Sequence, residues 1–222
     1  MHGIRYFVGL LFLIAITPLL HAGDGPLNTP PKGFKALFNG KDLTNWQGLV
    51  TVKARAKMSP EQLKAAIKKA NTKLKHWSVQ DGILVYDGKG QSLQTVKDYG
   101  DFELYVDWKI GKGGDSGIYL RGNPQVEIWE RKEGSGGLYN NQKNPRNPSM
   151  NADNPVGEWN TFHIIMKGDK VTIFLNGKKV VDNVTMENYW FRGQPLPETG
   201  PIELQHHGNP LYFRNIYIKE LN

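Results

Sequence analysis

The sequence predicts an all-β protein, built as a two-sheet antiparallel sandwich with one inserted amphipathic helix. Roughly ten short segments alternate apolar and polar residues, as strands do when one face of a sheet is buried. Turn signals separate these segments, and the chain contains 25 Gly and 13 Pro. Such spacing is typical of sandwiches. We therefore expect one core between two sheets, with one sheet face left for a ligand.

Segment 1–22 is predicted to be a signal peptide. Its apolar run Tyr6–Ile16 follows a weakly basic start and is broken by Pro18. A bilayer span needs about 20 apolar residues, so no stable membrane anchor is expected, although an anchor is the competing interpretation. We expect a secreted or periplasmic protein with a linker at 23–33 and one domain at 34–222.

Composition excludes several classes of site. The chain has no Cys, which excludes disulfides, thiolate metal sites and a cysteine nucleophile. The net charge of +7 raises the possibility of nucleic-acid binding. Much of the excess lies in Lys53–Lys75, however, and we interpret it as a contribution to solubility, with no nucleic-acid partner.

One helix is predicted, over 59–75. Ser59 can cap it and Pro60 suits its first turn. Its apolar stripe consists of Leu63, Ile67, Ala70 and Leu74. The lysines on its other face favour an insertion packed against the sandwich, while a lid or partner-binding element is the alternative.

The remaining elements are strands and loops. Strands are predicted at Lys35–Phe38, on both sides of the Asp81-Gly82 turn, in SLQTV, DFELYVDWKI and EWNTFHIIMKG, on both sides of Asn176-Gly177, and in PIELQHHG and YFRNIYIKEL. The long segment Arg131–Pro155 is either functional or disordered. Its Tyr139 is a candidate for the rim of a binding site.

The stretch Gly113–Glu130 predicts two strands with an unusually polar face. In the first strand Tyr119 and Arg121 share a side, and in the second Gln125, Glu127 and Trp129 do. Aromatic rings can cover the C–H groups of a sugar while charged side chains bind its hydroxyls. We expect Tyr119 and Trp129 to contact such a ligand.

Glu127 and His207 are the candidate bases. Glu127 lies between Val126 and Ile128, so partial desolvation should raise its pKa. A structural ion pair with Arg121 is an equally good interpretation. By alternation His207 shares a face with Gln205 and Glu203, and imidazole suits proton transfer near neutral pH.

Two aspartates are weaker candidates. Asp107 is predicted on the exposed face of a strand and is included among substrate-binding residues, although solvation is the simpler explanation. Asp115, in the glycine turn, is expected to bond its own backbone. The sequence contains no GxSxG elbow and no HExxH motif, and KGGDSG precedes a strand rather than a helix, which argues against a phosphate loop.

Several motifs in order resemble the 3-keto-disaccharide hydrolase family. They are FNGKDLTNW, DYGDFELYVDWKI, GGDSGIYLRG, VGEWNTFHIIMKGD, LNGKKVVDNV and GPIELQHHGNPLYFRNIYIKEL, and they cover nearly all of Phe34–Leu221. The resemblance implies a concanavalin A-like jelly-roll sandwich and activity on glycosides oxidised at C3. A base would remove the acidic C2 proton, an enolate would form, and the C1 substituent would leave.

The resemblance also implies roles for residues. Carried onto this chain, it gives Glu127 or His207 as base, Arg121 or a divalent metal ion as enolate stabiliser, and Gln205 near the substrate. No metal ligands are assigned and no organic cofactor is expected. A non-catalytic carbohydrate-binding module of the same fold is the alternative, since fold alone does not give activity. A surface or scaffold protein that uses its basic helix is a third hypothesis.

Overall fold

The structure, a computed structural model, describes residues 26–123 and 125–221, so the predicted signal peptide lies outside the described residues. The strands are β1 (Lys35–Ala36), β2 (Trp46–Gly48), β3 (Trp77–Gln80), β4 (Ile83–Tyr86), β5 (Leu93–Thr95), β6 (Phe102–Ile110), β7 (Asp115–Tyr119), β8 (Gln125–Trp129), β9 (Asn160–Lys167), β10 (Lys170–Leu175), β11 (Lys178–Thr185), β12 (Glu203–Leu204) and β13 (Leu211–Glu220). The helices are α1 (Val52–Arg55) and α2 (Pro60–Asn71), and 3₁₀ turns occur at Leu74–His76 and Leu120–Gly122. Within the described ranges, no helix has the length and apolar character needed to cross a membrane.

The strands form two antiparallel sheets. The larger has the order β11-β10-β9-β6-β13-β4-β3, with β1 paired to β13, and the smaller has the order β2-β5-β12-β7-β8. Their apolar faces contribute to one continuous core. This confirms the predicted fold class, a concanavalin A-like jelly-roll sandwich.

In most strands, apolar and polar residues alternate strictly, and this alternation determines which side chains face the core. In β6 the side chains of Phe102, Leu104, Val106 and Trp108 are 0–1 % exposed. In β13 the alternation is reset by a bulge, where Asn215 adopts a φ of +49°. The bulge allows both Phe213 and Ile216 to face the core although two residues separate them.

The inserted helix packs against the side of the sandwich. Its N-terminus is capped as expected: Ser59 Oγ accepts from the backbone N–H of Gln62 at 3.2 Å, and Gln62 Oε1 accepts from that of Ser59 at 2.8 Å. A Cβ at Gly48 of β2 would lie 2.6 Å from the backbone of Ala70, so only glycine permits this close packing. The helix ends at Asn71 rather than Lys75, and the 3₁₀ turn then leads directly into β3. The close contact between Gly48 and Ala70 supports the interpretation of the helix as a packed insertion rather than as a lid.

The long segment after β8 is an ordered margin of the smaller sheet. Glu127 N–H donates to Gly137 O at 2.9 Å, and Gly136 N–H donates to Glu127 O at 2.8 Å. Val126 and Leu138 form an isolated bridge. Part of the segment therefore pairs with the edge of β8, which argues against disorder there.

Candidate active site

The outer face of the smaller sheet carries three rows of polar side chains. Because residues opposite each other in antiparallel strands share a face, the pairings of β12, β7 and β8 define the rows. The rows are Glu203–Tyr119–Gln125, then Gln205–Gly117–Glu127, then His207–Asp115–Trp129. We refer to these residues as the polar face.

The polar face is deep at one end and accessible at the other. Glu203, Tyr119 and Gln125 are buried, at 4–8 % exposure. Gln205 is half-buried, and the side chain of His207 is 55 % exposed. A ligand would therefore approach from the His207 row.

Glycine and two glutamines form the middle of the polar face. The Gln125 side chain crosses Gly117, where a Cβ would lie 2.3 Å from it, so the position has no room for another side chain. Gln125 Nε2 donates to Gln205 Oε1 at 2.8 Å and to Ser116 O at 2.9 Å. These bonds fix the two amides in place before any ligand binds.

Glu127 forms a buried ion pair with Arg131. The Glu127 carboxyl group is 2 % exposed, and its Oε2 contacts the Arg131 guanidinium, which is 15 % exposed. Burial raises the pKa of Glu127 to about 7, against the lowering effect of the Arg131 and Arg146 charges. The guanidinium also lies 5.3 Å from the centre of the Trp129 ring, so it is held on two sides.

His207 lies beside a carboxylate. Its Nδ1 is 3.6 Å from Asp115 Oδ2. Burial raises the pKa of Asp115, while the positive charges of His207 and Arg131 act to lower it. Asp115 is therefore close enough to His207 and to Arg131 to interact with each of them.

Glu203 is a second buried carboxyl group in the deep row. Burial raises its pKa to about 7, and Ser92 bonds it. Burial also raises the pKa of its cross-strand neighbour Tyr119, and the charge of Glu203 adds to this effect. The Tyr119 hydroxyl therefore stays protonated even well above neutral pH.

Two aromatic residues border the polar face. Tyr139 and Tyr189 are 39 % and 37 % exposed, and both lie near Tyr119. The guanidinium of Arg146 lies 4.3 Å from the Tyr139 ring, and that of Arg192 lies 5.3 Å from the Tyr189 ring. These contacts give the two rings defined positions at the margin.

A single carboxylate organises the margin that carries Tyr139. Glu187 accepts from the backbone N–H groups of Gln142, Lys143 and Asn144 at 2.7–3.0 Å. These bonds outweigh the effect of burial and lower the pKa of Glu187 to about 2. Residues 142–144 are therefore tied to the loop that follows β11.

The structure corrects the position predicted for Arg121. β7 ends at Tyr119, and Arg121 has a φ of +54°, so the alternation does not continue to it. Its guanidinium donates to Gly100 O at 2.9 Å and to Pro197 O at 3.1 Å, and it pairs with Asp101 at 2.5 Å. Arg121 therefore neither belongs to the polar face nor pairs with Glu127, and Arg131 takes that place.

The prediction for Asp107 was also wrong in position. Asp107 lies in β6 of the larger sheet and is 2 % exposed. It accepts from Thr161 Oγ1 at 2.6 Å, Asn215 Nδ2 at 2.8 Å and Arg214 Nε at 3.2 Å. These bonds link β6 to β9 and β13 on the face of the larger sheet that points away from the smaller sheet.

The other candidates are brought together. The polar face contains Tyr119, Glu127, Trp129, Gln205 and His207, and Tyr139 lies at its margin. Sequence reasoning assigned no role to Arg131 or Tyr189. It interpreted Asp115 as a turn residue, whereas Asp115 begins β7 and lies beside His207, and it named Glu203 only as a neighbour of His207 on the same face. Alternation could have found Arg131, which lies two residues beyond Trp129.

The residues that the structure describes do not form a metal site. Within the described parts of the chain, no three or more His, Asp or Glu side chains are grouped so that they could hold an ion. His207 and Asp115 form only a pair.

Comparison with known proteins points to one family. The profile of the 3-keto-alpha-glucoside-1,2-lyase-like domain matches residues 33–219. A protein of Bacteroides thetaiotaomicron named 3-keto-disaccharide hydrolase is 22 % identical over 86 % of this chain and 79 % of its own length.

Solved structures share the architecture. Two proteins of Parabacteroides distasonis, provisionally named glycosyl hydrolases, superpose with TM-scores of 0.68 and 0.65. The first is 24 % identical and covers 89 % of this chain and 100 % of its own. The second is 27 % identical and covers 86 % and 85 %. A sialidase matches with a TM-score of 0.52 at 12 % identity, over 82 % of this chain and 17 % of its own.

Proposed function

The chain belongs to the 3-keto-alpha-glucoside-1,2-lyase-like domain family, and we propose that it cleaves the glycosidic bond of glycosides that carry a ketone at C3 of the sugar ring. One observation carries the proposal: the accessible imidazole of His207 lies beside Asp115, next to the guanidinium of Arg131, on one sheet face. A base and a fixed cation are the two groups that enolate formation requires.

His207 is the base in this proposal, and Glu127 is not. A ketone at C3 makes the C2 proton acidic, and a base must reach that proton. The His207 side chain is 55 % exposed, whereas the Glu127 carboxyl group is 2 % exposed and covered by Arg131. His207 removes the C2 proton, and the negative charge of Asp115 stabilises the imidazolium that results.

Arg131 stabilises the enolate oxygen. When the C2–H bond breaks, its electron pair forms the C2=C3 bond and the carbonyl oxygen becomes negative. A guanidinium held by Glu127 on one side and by the Trp129 ring on the other is already oriented for this charge. The role of Glu127 is then to position Arg131.

The leaving group receives the proton that His207 has taken from C2. Collapse of the enolate restores the C3 ketone, forms the C1=C2 bond and breaks the bond from C1 to the departing oxygen. Because C1 and C2 are neighbouring ring atoms, the imidazolium of His207 can return its proton to that oxygen. Addition of water across C1=C2 completes hydrolysis, and release of the unsaturated product before that addition makes the reaction a net elimination.

In this proposal the sugar ring lies over the middle row of the polar face, between the deep row and the His207 row. Gln125 and Gln205 present fixed amides to its hydroxyls, and Tyr119 presents a protonated phenol. Tyr139 and Tyr189 flank the ring from the margin. Their roles are those of substrate-binding residues.

The test is release of the aglycone from a nitrophenyl 3-keto-glucoside, followed by absorbance with and without EDTA. His207→Gln is expected to lower kcat about 10²–10⁴-fold, the usual contribution of a general base. His206→Gln is the control, because the His206 ring bonds Ser92 and is not assigned to the reaction. Absence of release by the wild-type protein, with or without added divalent ions, would refute the proposal.

A carbohydrate-binding module is the second candidate function. The exposed rings of Tyr139 and Tyr189, each under an arginine, favour it because such rings serve binding without catalysis. Glu127→Gln separates the two functions. A binding module should retain sugar affinity and have no turnover to lose, whereas an enzyme should lose turnover when Arg131 loses its carboxylate.

We also propose that the protein is exported. The support is the apolar run and break in segment 1–22, described above from the sequence. Mass determination of the N-terminus of protein recovered from its native host would test this.

A further inference from the structure

A cavity lies at the end of the sandwich where β6 and β8 finish. Its volume is about 360 Å³, and its lining includes Trp108, Ile110, Trp129, Arg131, Pro155 and Glu158. None of the steps proposed above takes place in it. It is large enough for one sugar ring and belongs to the size class of small-molecule sites.

One residue of the lining carries a buried donor without a partner among the described residues. Trp108 is 1 % exposed, and its indole Nε1 bonds no group among the described residues. Leaving a buried N–H unpaired costs free energy, and most such groups in proteins are paired. A ligand oxygen in the cavity would supply the missing acceptor.

The wall of the cavity is formed in the absence of a ligand. Asn154 N–H donates to Asn160 Oδ1 and Asn154 Nδ2 to Trp159 O, both at 2.8 Å. Gly157 N–H donates to Ile110 O at 3.0 Å, which ties the segment to the end of β6. The shape is therefore not the result of a loose loop.

The cavity shares a wall with the polar face. Arg131 contacts Glu127 and also lines the cavity, and so does Trp129. Trp129 is two residues beyond Glu127 in β8, a separation of about 7 Å along a strand. The cavity and the middle row of the polar face are therefore close enough for two linked sugar rings to occupy both at once.

We propose that this cavity binds the leaving-group sugar of a 3-keto disaccharide, as a neutral pyranose, an inference that rests on the proposed function. The Trp129 ring and Pro155 offer apolar surface to C–H groups, and Trp108 Nε1 offers a donor to a hydroxyl or ring oxygen. The lining carboxylates Glu130, Asp153 and Glu158 outnumber the one guanidinium, which is already paired. That balance disfavours an acidic sugar.

The experiment uses Trp108→Phe, which keeps an aromatic ring and removes the N–H. With a 3-keto disaccharide that releases glucose, KM is expected to rise about tenfold, whereas with the methyl 3-keto-glucoside KM should not change. Trp77→Phe is the control, because that residue is also buried and its indole N–H bonds Gln91 O. An equal change with both substrates would overturn the proposal.

A direct binding measurement separates this inference from the proposed function. Saturation-transfer NMR with D-glucose should show binding to the wild-type protein and a loss of signal in Trp108→Phe. Val156→Trp, at a rim position that is 46 % exposed, should block the cavity without disturbing the core. If no 3-keto glycoside is cleaved, the proposed function fails while the glucose experiment still decides the cavity. Unchanged glucose binding in both variants would exclude the cavity as a sugar site.

Discussion

Glu127 and Glu203 show how two residues of one type differ when only one has a cationic partner. Both are buried on the polar face, and burial raises the pKa of each to about 7. Glu127 contacts Arg131, while no ion pair to Glu203 is found in the described parts of the chain. A charge on Glu203 must therefore be supported by hydrogen bonds alone.

This difference predicts a pH-dependent effect of Glu203→Gln on stability. The pKa of Glu203 in the folded protein lies above its ordinary value of 4.5, so the folded state binds the proton more tightly and stability falls as pH rises from about 4.5 to about 7. At pH 8 the amide removes that penalty, and the free energy of unfolding should increase by roughly 1–3 kcal/mol. At pH 5 the two proteins should unfold alike. Urea unfolding at both pH values measures this, and an equal gain at both would show that the residue is not charged at pH 8.

At the scale of elements, the packing of α2 on β2 depends on one glycine. Gly48→Ala would place a methyl group 2.6 Å from the Ala70 backbone, which cannot move without shifting the helix. We expect a loss of about 1–3 kcal/mol in the free energy of unfolding, the usual cost of overpacking. Gly111→Ala is the matched control, because no atom lies within 4 Å of the added carbon. An equal loss of unfolding free energy in both variants would mean that the close contact between Gly48 and Ala70 is not the cause.

The margin beside β8 depends on Glu187. Its pKa lies below the ordinary value of 4.5, so its contribution to stability is present at neutral pH and is lost as pH falls from about 4.5 towards 2. Glu187→Gln should lower the free energy of unfolding by about 1 kcal/mol at pH 7, since solvent screens part of the interaction. It should also raise KM, because residues 142–144 lie between Tyr139 and Arg146. Thermal unfolding and steady-state kinetics would check both effects, and an unchanged KM would separate this margin from substrate binding.

At the scale of the whole molecule, the basic surface and the candidate site are separate. The lysines of α2 lie on exposed positions of a helix that packs on the β2 edge, and β7 and β8 lie at the other side of that sheet. Replacing Lys64, Lys68 and Lys69 by Gln should weaken retention on heparin. It should leave stability within about 0.5 kcal/mol, as for most surface substitutions, with kcat/KM unchanged. A fall in kcat/KM would instead support a functional role for the helix, the third hypothesis raised from the sequence.

Alternation along strands explains what could be predicted from the sequence. It placed Glu127, Trp129, Gln205 and His207 correctly on one face because each lies within or directly beside a paired strand. It failed at Arg121, where a single residue with positive φ turns the chain. A positive φ is common for glycine and unusual for arginine, so the residue type at position 121 gave no signal of this turn.

Alternation also says which face a residue occupies without saying which sheet. Asp107 follows the same pattern as Glu127, yet it belongs to the larger sheet, and its partners Thr161 and Arg214 are 54 and 107 residues away. Strand order depends on such long-range pairing, which a single sequence does not reveal. Alternation predicted the two-sheet sandwich and the family resemblance its concanavalin A-like type, but the structure was needed to show that Arg131, and not Arg121, pairs with Glu127.

The placement of α2 has a consequence for self-association. A strand at the end of a sheet exposes unpaired N–H and C=O groups that can recruit a strand from another chain. In β2 the N–H of Gly48 instead donates to Asn71 Oδ1 of α2 at 2.9 Å, and at the opposite end β8 is paired with Gly136 and Gly137. Both ends of the sheet that carries the polar face are therefore already occupied, and the lysines of α2 would repel a second basic chain. The insertion thus helps a sheet with a ligand face to remain in solution without templating aggregation.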